Sequence, residues 1–349
     1  MGGVIDWSLA GQVARGMAGL QPAGDGAPFE AVAGPTAESE RLITAYTGLV
    51  PTSPLPPPEA VGRSEWIEAN LGSLQGVLDP VAGRLGSRLG PVGGAAGRLL
   101  ALEAGAISGF LAGRVLGQYE FSPLDPTGPA RLLFVAPNLG HAVKTLEADA
   151  DQLLSWVALH ETTHALQFGA VPWLREHLAD MIGEMLSALD VDPGGLLRLP
   201  RDPTDLRALV ERVRRDGLAF LAVGPERRHL LEGAQAFMAL LEGYAEHVMD
   251  AVGAGVLADL DTMRAAMTRR RTERSGLLRV LEKLIGLDLK LRQYEQGKAF
   301  CDAVVERGGI EALNRAWASP DALPTFAELD DPAGWLARTE QRQLGRGAA

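Results

Sequence analysis

Two histidines and a glutamate stand in an otherwise apolar run, VALHETTHALQF, from Val157 to Phe168. Spaced four apart, His160 and His164 project from one face of a helix about one turn from each other. Two imidazoles so placed can grip one Zn²⁺. Glu161 beside them then faces the water such a metal binds and can serve as general base. Leu154, Val157, Ala158, Leu159, Ala165 and Leu166 surround the three on every side, which describes a buried helix. Ionisable groups buried without partners are costly, and a metal removes that cost. The competing explanation is accident, with two core histidines bonded to carbonyls and a surface glutamate between them.

A catalytic zinc usually takes three protein ligands and keeps an open position, so a third ligand is required. The metzincin pattern places a histidine at position 170, where this chain has Ala170. His177 lies too far along and reads as a helix-surface residue. Two glutamates compete for the place, Glu184 at 20 residues past His164 and Glu242 at 78 residues past it. Glu242 is favoured. Glu246 follows it by one helical turn and can accept a hydrogen bond from a ligating histidine, fixing its tautomer. The equivalent place after Glu184 holds Ala188, and Glu242 shares its face with Met238 and Met249. His247 points elsewhere on that helix and is a weaker ligand.

These residues need elements to carry them. Helical patterns dominate. The apolar run Leu132 to Val135, closed by Pro137 and Asn138, is the best strand. Asp149 or Asp151 can cap the helix bearing the two histidines, with Pro172 just past its end. Later helices are expected near 173–189, 205–222, 227–252, 256–270, 277–287 and 289–307, with a loop over 192–205. The proline-rich stretch Pro51 to Gly62 must be extended. It separates an N-terminal arm with its connector (1–60) from a main body (61–345) read as one continuous core. Pro80 interrupts a stretch that reads as one or two helices.

A net charge of −11 over 349 residues argues against a nucleic-acid partner, because no Lys/Arg block can neutralise a phosphate track. The run RRRTER at Arg269 reads as a solvated helix face. A single cysteine, Cys301, suits a reducing compartment, and its apolar setting makes it a small hydrophobe. No basic start with an apolar region marks a secretory signal. The glycine-rich segment Gly93 to Gly117 is interrupted by Arg98, Glu103 and Arg114, so a core helix is expected there and no membrane span. The expected location is the cytoplasm.

EGYAEH, from Glu242, resembles the segment that supplies the glutamate ligand in aminopeptidase-N-like gluzincins, with Leu241 replacing that family's Asn. The wider match is closer to another group. VIDWSLAGQVA, HETTHALQFGAVPWLREHL, LLEGYAEHVMD, LRQYEQGKAFCDAVVERGG and LNRAWASPDALPTFAEL occur in that order. Together they resemble the actinobacterial zincin-like hydrolases, some of which are linked to coenzyme F-420 biosynthesis. The resemblance implies a zinc-binding, zincin-like fold over nearly the whole chain. It departs at Tyr244, where the group is expected to carry histidine. Zinc peptidases often use a positioned donor for the oxyanion. Of the four tyrosines, Tyr294, which lies in one of these blocks, and Tyr244 are the candidates. The strand at Leu132 can pair with an extended peptide by β-addition or serve as an ordinary interior strand.

The expectation is a mainly α (α+β) zincin-like protein with a small β-sheet, binding Zn²⁺ through His160, His164 and Glu242. Glu161 would activate water against a peptide or other amide bond. A non-catalytic zinc-binding scaffold, or an accessory factor in cofactor biosynthesis, is the rival; Glu161 argues against it, since a structural site has no use for a carboxylate at the water position.

Overall fold

Leu132, Leu133, Phe134 and Val135 are fully shielded from solvent, and their strand is the centre of the only sheet among the described residues. A computed structural model describes residues 4–26, 29, 31–89, 93–188, 228–272 and 287–347. The loop expected over 192–205 and the helix over 205–222 lie outside these residues, as does nearly all of the one over 277–287.

The chain divides into two units. The first comprises Met1–Leu42, Val50–Gly169 and Gly253–Arg270. It contains α1 (Trp7–Gly19), most of α2 (Ala33–Thr47), β1 (Pro58–Val61), α3 (Arg63–Leu89), α4 (Gly93–Ala112), β2 (Gly117–Phe121), β3 (Ala130–Val135), α5 (Ala136–Leu146), α6 (Ala150–Ala170) and α9 (Leu260–Thr272). The sheet order is β1-β3-β2, with β1 parallel and β2 antiparallel to β3. β3 thus has a neighbour on each side, and its four apolar residues in a row suit a strand buried on both faces. It has no edge to offer a peptide, so β-addition to it is excluded. The last residues of the proline-rich stretch form β1, where Arg131 grips the Glu59 carboxylate with two nitrogens, at 3.0 and 2.6 Å.

Small residues let α1 and α4 meet backbone to backbone. Ala10, Ala14 and Ala18 on α1 are buried. A Cβ added at Gly105 would lie 2.5 Å from the Ala10 carbonyl oxygen, and one at Gly109 would lie 2.5 Å from that of Ala14. Such spacing of small residues is how helices approach most closely. Asp6 caps α1 by accepting from the Leu9 N–H. Arg63 takes the Ala18, Gln21 and Pro22 carbonyls at the other end, where the helix dipole favours a cation. The glycine-rich segment therefore forms a helix packed in this unit, although Leu99, Leu102 and Ile107 on it remain exposed. By length and composition it is the one described helix apolar enough to cross a membrane. Pro80 lies inside a single helix, α3. The basic run begins at the end of α9, where Arg270 donates to the Arg114 carbonyl.

The second unit comprises Ile43–Leu49, Ala170–Val252 and Arg271–Ala349. It holds α7 (Leu174–Ala188), α8 (Arg228–Gly253), α10 (Leu287–Leu313) and α11 (Pro332–Gly347). α8 and α10 touch at two glycines. A Cβ on Gly243 would fall 2.2 Å from the Gly297 carbonyl carbon, and one on Gly297 would fall 1.9 Å from the Ala239 oxygen. α10 breaks at Gly309, whose φ of 77° suits glycine and few other residues. Near the C-terminal end, Trp335 is fully buried and donates to the Ala322 carbonyl. Arg338 binds Glu328 while also donating to the Asp321 and Leu323 carbonyls. Cys301 is fully buried and burial pushes its thiol pKa up, which leaves it a packing residue.

Candidate metal centre

α6 is helical because Asp149 caps it, accepting from the Gln152 N–H at 3.0 Å, and because apolar residues cover almost every face behind that cap. Between the two caps proposed from the sequence, the structure selects Asp149. The imidazoles of His160 and His164 are half-buried and meet edge to face, with ring centroids 4.7 Å apart. Their Nε2 atoms are 3.3 Å apart. Two nitrogens bound at about 2.0–2.1 Å on a tetrahedral zinc would stand roughly that far apart, so the pair fits the ion's geometry.

The amide oxygen of Gln167 lies 2.9 Å from His164 Nδ1. An amide oxygen only accepts, so the proton sits on Nδ1 and the Nε2 lone pair faces the other imidazole. Gln167 thus fixes the tautomer of His164 from within α6 itself. An i+3 neighbour on the same helix was the available signal for it.

Glu161 is buried, with 8% of its surface exposed. Its Oε2 accepts the backbone N–H of Tyr119, on β2, at 3.0 Å. β2 was not anticipated from the sequence. GQYEF is short and lacks a clear alternation, and only its ladder with β3 makes it a strand.

Glu242 lies on α8, and Glu246, one turn beyond it, is buried. His160, His164 and Glu242 each offer one ligand atom, and these atoms all lie within 4.8 Å of one another. No other such group of three is found among the described residues, and Glu184 belongs to none. Glu184 lies in the second unit, lining a cavity of about 810 Å³ with His177, Asp180, His229, Glu232 and Phe237. His177 is half-buried there, its ring between Trp173 and Phe237, and burial depresses its pKa. A surface role does not describe it.

Tyr244 is sealed from solvent and donates to Asn314 Oδ1 at 2.8 Å, while Asn314 donates to the Thr47 carbonyl. Burial drives its hydroxyl pKa up. The expectation of an oxyanion donor at Tyr244 gives way to packing. His247 is likewise engaged: its Nε2 lies 2.9 Å from the Tyr46 hydroxyl and its Nδ1 lies 2.7 Å from Asp302. Tyr294 is on α10, and its side chain lies outside the described residues.

Residues 5–336 match the zincin-like metallopeptidase family. The chain belongs to that family. The two histidines with their glutamate, and the five sequence blocks that resemble zincin-like hydrolases, led to the same expectation. This zincin-like chain is similar to a solved structure described as a "putative hydrolase with a novel fold from Chloroflexus aurantiacus". The identity is 31% and the TM-score 0.73, over 96% of this chain and 99% of that one. No curated protein matches.

Proposed function

We propose that this zincin-like chain is a zinc-dependent hydrolase that cleaves peptide or other amide bonds. The observation that carries the reading is the convergence of His160, His164 and Glu242, with Glu161 beside the histidines. Those three residues would hold the ion. Bound there, zinc supplies a Lewis acid that polarises the scissile carbonyl and makes water acidic enough to lose its proton near neutral pH. Glu161 takes that proton and passes it to the departing amine, the usual division of labour for a single general acid–base. Gln167 keeps His164 in the tautomer that presents Nε2. Glu246 is proposed to steady a ligating histidine from α8. Tyr294 is proposed to donate to the oxyanion, Tyr244 being committed to Asn314. The single buried cysteine and the acidic balance support a cytoplasmic enzyme acting on peptides or small amides.

Protein purified without chelator should contain close to one zinc per chain, and His160→Ala, His164→Ala or Glu242→Ala should lose it, whereas Glu184→Ala should retain it. Metal analysis reads this directly. A wild type with no affinity for added zinc would end the proposal. Glu161→Gln should keep the metal and lose about 10²–10⁴-fold in hydrolysis of a diverse peptide library. Phenanthroline should silence the wild type. Equal rates in wild type and Glu161→Gln would reject Glu161 as the base.

A further inference from the structure

β2 is an edge strand, and its outer side faces α6. The Val135 N–H donates to the Leu116 carbonyl at 2.8 Å. With Gly117 opposite Phe134 and Tyr119 opposite Leu132, the alternation of an antiparallel ladder sends the bonds of residues 118 and 120 into the sheet. The backbone groups of Gly117 and Tyr119 point outward, and the Tyr119 N–H is the one that reaches Glu161.

That reach depends on a missing side chain. A Cβ on Gly117 would stand 2.7 Å from Glu161 Cγ, 3.2 Å from its Cδ and 2.7 Å from Val157 Cγ1. Two of these distances are far inside van der Waals contact, so any other residue would push β2 off α6 or turn the Glu161 side chain away. The strand is held down further along by Phe168, stacked on Tyr119 at 5.9 Å and tilted against Phe121 at 4.9 Å.

We propose that Gly117 and the Tyr119 backbone N–H are positioning elements for the Glu161 carboxylate. The glycine sets the closeness of strand and helix, and the N–H ties one carboxylate oxygen so that the group cannot rotate. This rests on the reading of Glu161 as general base. A base must sit within hydrogen-bond reach of the proton it takes, and a shift of about 1 Å can cost roughly a hundredfold in rate.

The test joins a stability cycle, which needs no hydrolysis, to kinetics. Gly117→Ala is made in a Val157→Ala background, which removes the second atom the methyl would meet, with Glu161 or with Glu161→Ala. The drop in urea midpoint caused by Gly117→Ala should be clearly smaller once Glu161 is truncated. Zinc affinity should be the same with and without Gly117→Ala, while kcat falls about a hundredfold with KM nearly constant. Tyr119→Pro removes the N–H at an edge position outside the ladder; measured against Tyr119→Ala, which loses the same ring but keeps the N–H, it should reproduce the kcat loss if the glycine variant does not fold. Gly16→Ala, which meets nothing within 4 Å, is the control.

An equal drop in both backgrounds overturns the steric half. Unchanged kcat in Gly117→Ala and Tyr119→Pro overturns the positioning role even where the stability coupling is present. A zinc-loaded wild type that hydrolyses nothing sinks the hydrolase reading and the catalytic half with it, while the stability cycle still decides whether Gly117 holds Glu161 in place.

Discussion

Glu161 in the first unit is held by a strand, whereas His247 in the second is held by helices. The carboxylate on α6 accepts a backbone N–H from β2, at a point where a glycine lets strand and helix touch. The imidazole on α8 is fixed between the Tyr46 hydroxyl on α2 and Asp302 on α10, and Lys298 bonds the other oxygen of Asp302 at 2.6 Å. A backbone donor survives every substitution except proline, so it holds a group with little dependence on the side chain that carries it. A relay of side chains is tunable but loses its whole chain of bonds when one member goes. In both units glycines bring two helices into backbone contact, α1 with α4 in the first and α8 with α10 in the second.

The comparison is most severely tested at the α8–α10 contact. Gly297→Val should be the most damaging of the substitutions considered for the second unit, because even a Cβ would lie 1.9 Å from a backbone oxygen that cannot swing aside. A loss of about 3 kcal/mol or more is expected, or no folded protein; urea denaturation measures it. A near-neutral result would mean that α8 and α10 are not in backbone contact.

Truncating the relay is next. Asp302→Ala leaves the His247 Nδ1–H buried without its acceptor and should cost about 1–3 kcal/mol. His247→Ala should lose little more when added to it, since the two act as one unit. Strict additivity in the double mutant would show that they are not coupled.

Smallest is Tyr244→Phe, which removes one hydrogen bond to Asn314 and should cost about 1 kcal/mol. Zinc content and hydrolysis should be unaltered, because the hydroxyl is packing machinery. A large kcat loss with normal stability would restore Tyr244 as a candidate oxyanion donor.

The histidine-bearing helix was legible because its information is local. A spacing of four residues, a capping aspartate and a continuous apolar surround all lie within about twenty positions, and helix periodicity converts them into one face. Glu242 was favoured over Glu184 by a similar local signal, the Glu246 one turn beyond it. The central strand was legible from its unbroken apolar run. The sequence therefore determined the donor types, their helices and the mainly helical class. It left open which glutamate joins the histidines, since a spacing of 20 or of 78 residues carries no distance. It also left open which tyrosines are buried, that GQYEF is an edge strand, and that the extended stretch after the prolines ends in β1. Those were decided by tertiary structure. β2 and β1 exist only against β3, and Gly117, Gly243 and Gly297 matter only because another backbone arrives beside them. A glycine records the absence of a side chain, and only the packed neighbour shows why that absence was needed.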